Sequence, residues 1–302
     1  MLRVMLLILL SSLLFNKTLP LYGLEVSQTA TVKPTDPSPL KKRKNSNDIL
    51  FGSFNIQSFG RHKMAQEETR DHIIDIIKKY DVVLIQEIRD KSEVAIYELV
   101  EYLKEKTGLS YDIALSRRLG DASHKEQLAY IYKTTKVETL YKYIPNDKKN
   151  LFYREPFVVK FRDKSSGKKF VSIGAHLSPQ FVIKELEGLH DTARDIMEQW
   201  GSENIMIIGD LNASCDYINK DDLAFNSLRS PAFSWWITDE MDTTVHDTDC
   251  AYDRIITTQG LSEFVTVPGR PYNFSGDLRL TREQSLKVSD HYPVEIQFNF
   301  SN

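Results

Sequence analysis

Short runs of apolar β-formers recur along this chain, and almost every one ends in a polar side chain able to do chemistry. Ile205-Met206-Ile207-Ile208 stops at Gly209-Asp210-Leu211-Asn212. Asp81 to Gln86 delivers Glu87 and Arg89, Ile49 to Phe54 delivers Asn55, and Phe170 to Ala175 delivers His176. An apolar run of about four to eight residues bounded by turn signals reads as a buried strand. Further strand-like runs cover Tyr111 to Leu115, Leu128 to Lys133, Val137 to Ile144 and Phe157 to Arg162, with turns at Asn146-Asp147 and Ser166-Gly167. Late runs at Cys250 to Ile256 and Ser289 to Ile296 place Asp253, Asp290 and His291 beside strands. Between these runs lie amphipathic helical segments. Gln66 to Tyr80 carries a stripe of Ile73, Ile76, Ile77 and Tyr80, and Ser92 to Lys106 carries Ala95, Leu99 and Leu103. Val182 to Trp200 carries Leu186, Leu189, Ala193, Met197 and Trp200. Strands interspersed with helices over one continuous core predict an α/β layered domain.

The address is legible ahead of the domain. Met1-Leu2-Arg3 leads into an apolar run from Val4 to Leu10, too short for a comfortable membrane span, so residues 1–23 read as a secretory signal peptide. Residues 24–47 shift to Thr, Pro, Ser and Lys, a composition that cannot offset the entropy of ordering, and read as a disordered linker or pro-segment. Its Lys41-Lys42-Arg43-Lys44 cluster reads as a solvated basic stretch. Residues 48–302 form one domain. The formal net charge of −3 denies the chain the basic signature of a constitutive nucleic-acid binder, so any polyanion must be met by a local patch or by bound cations. The two cysteines, Cys215 and Cys250, are expected to pair in a secreted chain.

In an extended backbone, residues separated by one point to the same side, so Asp210 and Asn212 are expected to face one phosphate or one metal together. Gly-Asp-x-Asn is equally a good turn. Collected, the strand-end residues Asn55, Glu87, His176, Asp210, Asn212, Asp253, Asp290 and His291 form a hard, oxygen-rich ligand set that favours Mg²⁺, Mn²⁺ or Ca²⁺ over zinc. Two histidines with no serine or cysteine nucleophile motif suggest an activated water and a protonated leaving group. Together these point to metal-assisted hydrolysis of a phosphate ester.

The chain resembles the endonuclease/exonuclease/phosphatase superfamily, and within it the deoxyribonuclease I group, nearest the secreted deoxyribonuclease-gamma type. The resemblance runs from about Ile49 to Phe300. It is carried in order by Ser53-Phe54-Asn55-Ile56-Gln57, Val83 to Asp90, Tyr153-Arg154-Glu155-Pro156, His176-Leu177-Ser178-Pro179, Gly209 to Cys215, Cys250 to Ile255 and Ser289 to Glu295. It implies a four-layer sandwich of two packed mixed β-sheets flanked by helices, with the active site at one end of the sheets. It implies a metal-dependent endonuclease that cuts mainly double-stranded DNA to 5′-phosphate ends. Glu87 is then the principal ligand for Mg²⁺ or Mn²⁺, with Asn55, Asp210 and Asp290 beside it. His176 and His291 are the acid/base pair, oriented by Glu126 and Asp253, while Asn212 binds a phosphate oxygen. Whether Asp210 or His176 orients the water stays open. Arg89, Arg154, His124 and Tyr252 are expected at the DNA, His124 standing where the family has a groove tyrosine. Asp242, Thr244 and Thr248 match a structural Ca²⁺ loop from which His246 departs. The segment Ile113 to Ser116 matches the actin-contacting surface only loosely, which argues against actin inhibition, and Tyr143 to Lys148 lacks the cysteines of a second family disulfide. A secreted monomer with no stable membrane association is expected. Two alternatives keep the same residues and give them other work. One is a phosphodiesterase acting on a phosphoinositide or another phospholipid, and the other is a nuclease-like toxin subunit working through a partner. Asn273-Phe274-Ser275 and Asn299-Phe300-Ser301 fit glycosylation sequons.

Overall fold

The computed structural model describes residues 46–121 and 124–301. The expected signal peptide and all but the last two residues of the expected linker lie outside the described residues. The chain opens with β1 (Ile49–Phe59), α1 (Arg61–Ala65), α2 (Glu67–Ile77), β2 (Val82–Ile88), α3 (Val94–Thr107), β3 (Tyr111–Leu115) and β4 (Gln127–Lys133). It continues through β5 (Val137–Tyr143), β6 (Phe157–Asp163), β7 (Lys169–His176), α4 (Val182–Trp200) and β8 (Ile205–Asp210). The last part contributes α5 (Lys220–Ala224), β9 (Phe233–Trp235), β10 (Asp253–Thr258) and α6 (Gln259–Ser262). It closes with β11 (Val265–Pro271), α7 (Phe274–Asp277), α8 (Arg282–Val288) and β12 (Val294–Phe298).

Two six-stranded sheets result, ordered β11-β12-β1-β2-β4-β3 and β5-β6-β7-β8-β10-β9. Both are mixed: β1–β2 and β7–β8 run parallel, each pair joined through helix, and the other pairings are antiparallel. The apolar run of β8 shows why these strands read as unbroken hydrophobic segments. Met206 and Ile208 enter the core between the sheets with Phe51, Leu84, Tyr130, Phe161, Ile255 and Phe298. Ile205 and Ile207 enter a second core with Val171 and Ile173 of β7 and Leu186, Leu189, Ala193 and Ile196 of α4. Side chains alternate across a strand, so a strand covered on both faces needs an apolar residue at every position. Burying each such isoleucine contributes roughly 1.5–3 kcal/mol relative to exposure. On the first sheet, Val83 and Ile85 are buried and alternate with the inter-sheet residues Val82 and Leu84, so they face the opposite side. Helices α2 and α3 supply buried Ile73, Ile76 and Ile77, and Leu99 and Leu103, as a flanking layer.

The sheets approach closely at Gly174, where an added Cβ would lie 2.6 Å from the Tyr130 hydroxyl oxygen and 3.0 Å from Leu84. Among the described residues no helix is long and apolar enough to cross a membrane. Of the two sequons, Asn273 is exposed, whereas Asn299 is 5% exposed and donates to Asp48 Oδ1 at 2.8 Å. Asn299 is therefore closed to a glycan in the folded chain.

Cys215 and Cys250 form a disulfide across 35 residues of sequence. Closing a loop of that length removes unfolded-state entropy worth roughly 3–4 kcal/mol in the chain-entropy model. The double variant Cys215→Ser, Cys250→Ser is expected to lose about that much unfolding free energy in a urea titration. An unchanged midpoint and slope would show that the loop is already constrained without the bond.

Candidate active site

Strand register assembles the centre. His176 on β7 pairs with Asp210 on β8, and Asp210 pairs with Asp253 on β10, so three neighbouring strands carry one chemical residue each in a single row. Residues in register across a sheet project to the same face. Gly209 carries a φ of +146°, and an added Cβ there would lie 1.9 Å from the Ala175 carbonyl oxygen. Only glycine lets β8 turn Asp210 out at that point.

Asp210, 2% exposed, is the hub. Its Oδ2 lies 3.6 Å from Nε2 of His176 and 3.6 Å from Nε2 of His291, and accepts from Asn55 Nδ2 at 3.1 Å. Each imidazole is backed by a second carboxylate: His176 Nδ1 donates to Glu126 Oε1 at 2.5 Å, and His291 Nδ1 donates to Asp253 Oδ2 at 2.7 Å. A carboxylate accepts and does not donate, so these bonds fix the proton on Nδ1 and aim Nε2 of both rings at Asp210. Charge follows geometry. Burial opposes a positive charge on His291, but the Asp253 and Asp210 carboxylates outweigh it and push its pKa up to about 10. Burial likewise opposes charge on His176, and Glu126 reverses the sign, so its pKa is raised. Burial would raise Asp210 and Glu126; the imidazolium charges beside them hold both below the usual carboxylate range. Asp210, Asp253 and His291 also bring ligand atoms within 4.8 Å of one another.

The first sheet supplies the facing wall. Glu87 is the penultimate residue of β2 and takes a φ of +57°. Its Oε1 accepts from Asn55 Nδ2 at 3.3 Å, and its Oε2 accepts from Ser58 N at 2.8 Å and meets Arg89 Nη2 at 3.0 Å. Asp290 and His291 sit in the loop between α8 and β12 rather than on a strand. Asp290 Oδ2 accepts from Gln57 Nε2 at 2.8 Å, while its buried Oδ1 has no hydrogen-bond partner among the described residues and lies 3.9 Å from His291 Nε2. A buried carboxylate oxygen without a hydrogen bond costs free energy unless a cation or water meets it, and Glu87, Asp210 and Asp290 each offer a carboxylate oxygen, so these residues suit a hard divalent cation.

Asn212 corrects the extended-strand expectation. Strand β8 ends at Asp210, and Asn212 takes a φ of +49°, outside any strand. Asp210 Oδ1 accepts from Asn212 N at 3.1 Å, and Asn212 Nδ2 donates to Leu177 O at 2.9 Å. The turn reading was the right local geometry, and the turn itself belongs to the site.

The groove residues divide. Arg89 is 48% exposed, and His124, whose N donates to Asp121 Oδ1, is 68% exposed. Arg154 is only 11% exposed and spends its guanidinium on the carbonyls of His176 and Leu177 and on Glu126 at 3.3 Å, so it holds up the His176 pair. Tyr252 stacks on Tyr217 with ring centroids 5.1 Å apart and leans on His291 at 6.4 Å. Asp242, Thr244 and Thr248 do come together: Asp242 Oδ1 accepts from Thr244 N at 2.9 Å and Oγ1 at 2.8 Å, and Thr244 Oγ1 reaches Thr248 O. His190 on α4 is 20% exposed and packs edge-on against Phe233, away from the site chemistry.

Sequence reasoning missed Gln57, Gln86, Tyr217 and Lys63. Gln86, fully buried in β2, donates to Ser53 and accepts from Asp210 N at 2.7 Å, which locks the two sheets together beneath the site. An amide interrupting an otherwise apolar run was its one readable signal. Lys63 sits behind Glu87 and Asp290; burial pulls its ammonium down to about 8 against the opposing pull of those two carboxylates.

A model of the endonuclease/exonuclease/phosphatase family matches residues 52–291. Deoxyribonuclease-1 of Bos taurus is 37% identical over 257 residues, covering 82% of this chain and 91% of its own length. Deoxyribonuclease-1 of Homo sapiens is 34% identical over 259 residues, with 82% and 91% covered. The chain belongs to the deoxyribonuclease I group of this family. Solved structures share its fold. The human Nocturnin catalytic domain with bound sulfate superimposes with a TM-score of 0.60 at 16% identity over 84% of this chain and 95% of that one. Truncated Caenorhabditis elegans TDP2 gives 0.59 at 14% identity over 83% and 97%. The expected packing of two mixed sheets between helices is therefore the fold of this family member. Its row of His176, Asp210 and Asp253 lies at one end of the second sheet, where β7 and β8 terminate and β10 begins.

Proposed function

We propose that this chain is a divalent-metal-dependent deoxyribonuclease that hydrolyses phosphodiester bonds of double-stranded DNA to 5′-phosphate ends. The observation that carries the reading is the placement of Asp210 Oδ2 at 3.6 Å from two imidazole Nε2 atoms, each imidazole backed by its own carboxylate. That pair suits in-line hydrolysis. One imidazole takes a proton from water as its oxygen attacks phosphorus, and the other gives a proton to the departing O3′, leaving the phosphate on the 5′ side. Asn212, with an amide hydrogen beyond the one given to Leu177, is suited to a phosphate oxygen that gains charge in the transition state. Glu87, Asn55, Asp290 and Asp210 would hold Mg²⁺ or Mn²⁺, which supplies charge neutralisation at the phosphate. Arg89, His124, Tyr252 and its stacking partner Tyr217 line the approach for DNA. Asp242, Thr244 and Thr248 suit a structural Ca²⁺. The disulfide and the leader sequence support secretion, and the absence of cysteine between Tyr143 and Lys148 supports the gamma type.

Purified protein is expected to nick supercoiled plasmid with Mg²⁺ and Ca²⁺ and to stop in excess EDTA, giving ends that ligate without added kinase. Undiminished cutting in EDTA would remove the metal from the reading. Release of phosphate or phosphocholine from lipid vesicles, with no plasmid nicking, would move the chemistry to a phospholipid.

A further inference from the structure

The wall that faces His176 is built from two segments distant in sequence: the end of β1, with Asn55 and Gln57, and the loop after α8, with Asp290 and His291. The ladder between β1 and β12 reaches only Ser53↔Val294, short of both. Beyond it, side chains take over. Lys63, half-buried on α1, donates through Nζ to Gln57 O at 2.8 Å, Val288 O at 2.9 Å and Ile56 O at 3.3 Å. An ammonium has three hydrogens, and these three main-chain carbonyls match them, with no carboxylate among the partners. Consecutive carbonyls of a regular strand point to opposite sides. Ile56 and Gln57 reach one ammonium because the β1–β2 register shifts between Asn55 and Phe59, where Ser58 takes a φ of +54°. Ser289, fully buried, adds a second tie: its Oγ donates to Asn55 O at 2.6 Å and accepts from His291 N at 3.1 Å.

We infer that Lys63 is a positioning residue that, together with Ser289, clamps the end of β1 to the 288–291 loop and so sets the geometry in which Glu87, Asn55 and Asp290 hold a divalent cation. The inference rests on the metal-dependent reading above. Charge and geometry make opposite demands here, which makes the role measurable. A fixed positive charge beside Glu87 and Asp290 repels an incoming cation, so if charge were all Lys63 contributed, removing it would tighten metal binding. If the clamp is what matters, removal loosens binding despite the lost repulsion. A support that fixes only overall stability would lower the melting temperature and leave metal affinity alone.

The test is Mn²⁺ binding to the full-length protein, followed by electron paramagnetic resonance, with the binding lost in Glu87→Gln defining the site. Lys63→Met and Ser289→Ala are each expected to weaken Mn²⁺ binding by about tenfold or more, the usual effect of losing an outer support of a metal site. The Mn²⁺ concentration for half-maximal nicking should rise by the same factor, with KM for DNA little changed. Equal or tighter Mn²⁺ binding by folded Lys63→Met overturns the inference. Should Lys63→Met fail to fold, Lys63→Gln and Ser289→Ala carry the same two outcomes. Wild-type protein that binds no Mn²⁺ overturns the metal reading itself, whereas wild-type binding matched by the variants overturns the clamp alone.

Discussion

Replacing His291 with alanine lowers DNA cleavage by about 10³-fold, within the range of losing a positioned proton donor or acceptor, and leaves a folded protein. The ring is only 12% exposed and its two nitrogens serve different carboxylates, Asp253 behind and Asp210 in front. Alanine removes the proton that Nε2 holds at neutral pH, where the pKa of about 10 keeps the imidazole charged. It also strands Asp253, whose Oδ1 already lacks a partner. A stranded buried carboxylate takes up a proton to shed its charge, so the variant should melt lower without unfolding at room temperature. His176→Ala is expected to match it in rate. Asp253→Asn separates orientation from chemistry: the amide still contacts Nδ1 but cannot stabilise the imidazolium, so a smaller loss than that of His291→Ala is expected. Single-turnover nicking with a circular-dichroism melt on the same samples checks all three. If His291→Ala keeps a rate within tenfold of wild type, the ring has no proton to transfer.

How legible these features were depended on how completely each was buried. Helix α4 was readable to the residue and strand β8 from its first residue, though not at its end, because β8 packs on both faces and α4 on one, giving an unbroken apolar run and a period of 3.6. Strand β11 was not. It pairs only with β12, alternates half-exposed residues, and contains Pro268 and Gly269, so neither periodicity nor composition marks it. The short helices α7 and α8 carry little apolar stripe, though the capping box of Thr281 and Gln284 was a readable start signal. In the candidate site, the residues that end apolar runs, Asn55, Glu87, His176 and Asp210, are brought together by the strands that carry them. Those that act by joining segments were not legible, because their meaning lies in the packing. Gln86 looks like an ordinary amide until the second sheet brings Asp210 against it, and Lys63 looks like a surface lysine until Val288 arrives from the far end of the chain.

Asp210→Asn should also cost about 10³-fold, and its pH profile should settle whether Asp210 or a histidine takes the proton from water. The substitution keeps the shape and an oxygen able to accept from Asn212 N, so the turn after β8 survives. What it removes is one negative charge 3.6 Å from both Nε2 atoms, and with it one anionic oxygen of the proposed metal set, so the profiles are compared at saturating Mg²⁺. That charge raises the proton affinity of both rings, so its loss lowers both. The ring that must be protonated then loses its proton at a lower pH, and the alkaline limb of the rate profile moves down. The ring that must be neutral also sheds its proton more easily, so the acid limb moves down with it. Were Asp210 the base, the acid limb would belong to its own titration and would vanish in the variant. The wild-type charge balance argues against Asp210 as the base. Asp210 is held below the usual carboxylate range by the imidazolium charges on either side, and a carboxylate with a lowered pKa is a weak proton acceptor near neutral pH. Its contribution is then the field it exerts on two rings at once. A profile in which both limbs shift to lower pH assigns it that role, and a profile with the acid limb missing assigns it the proton.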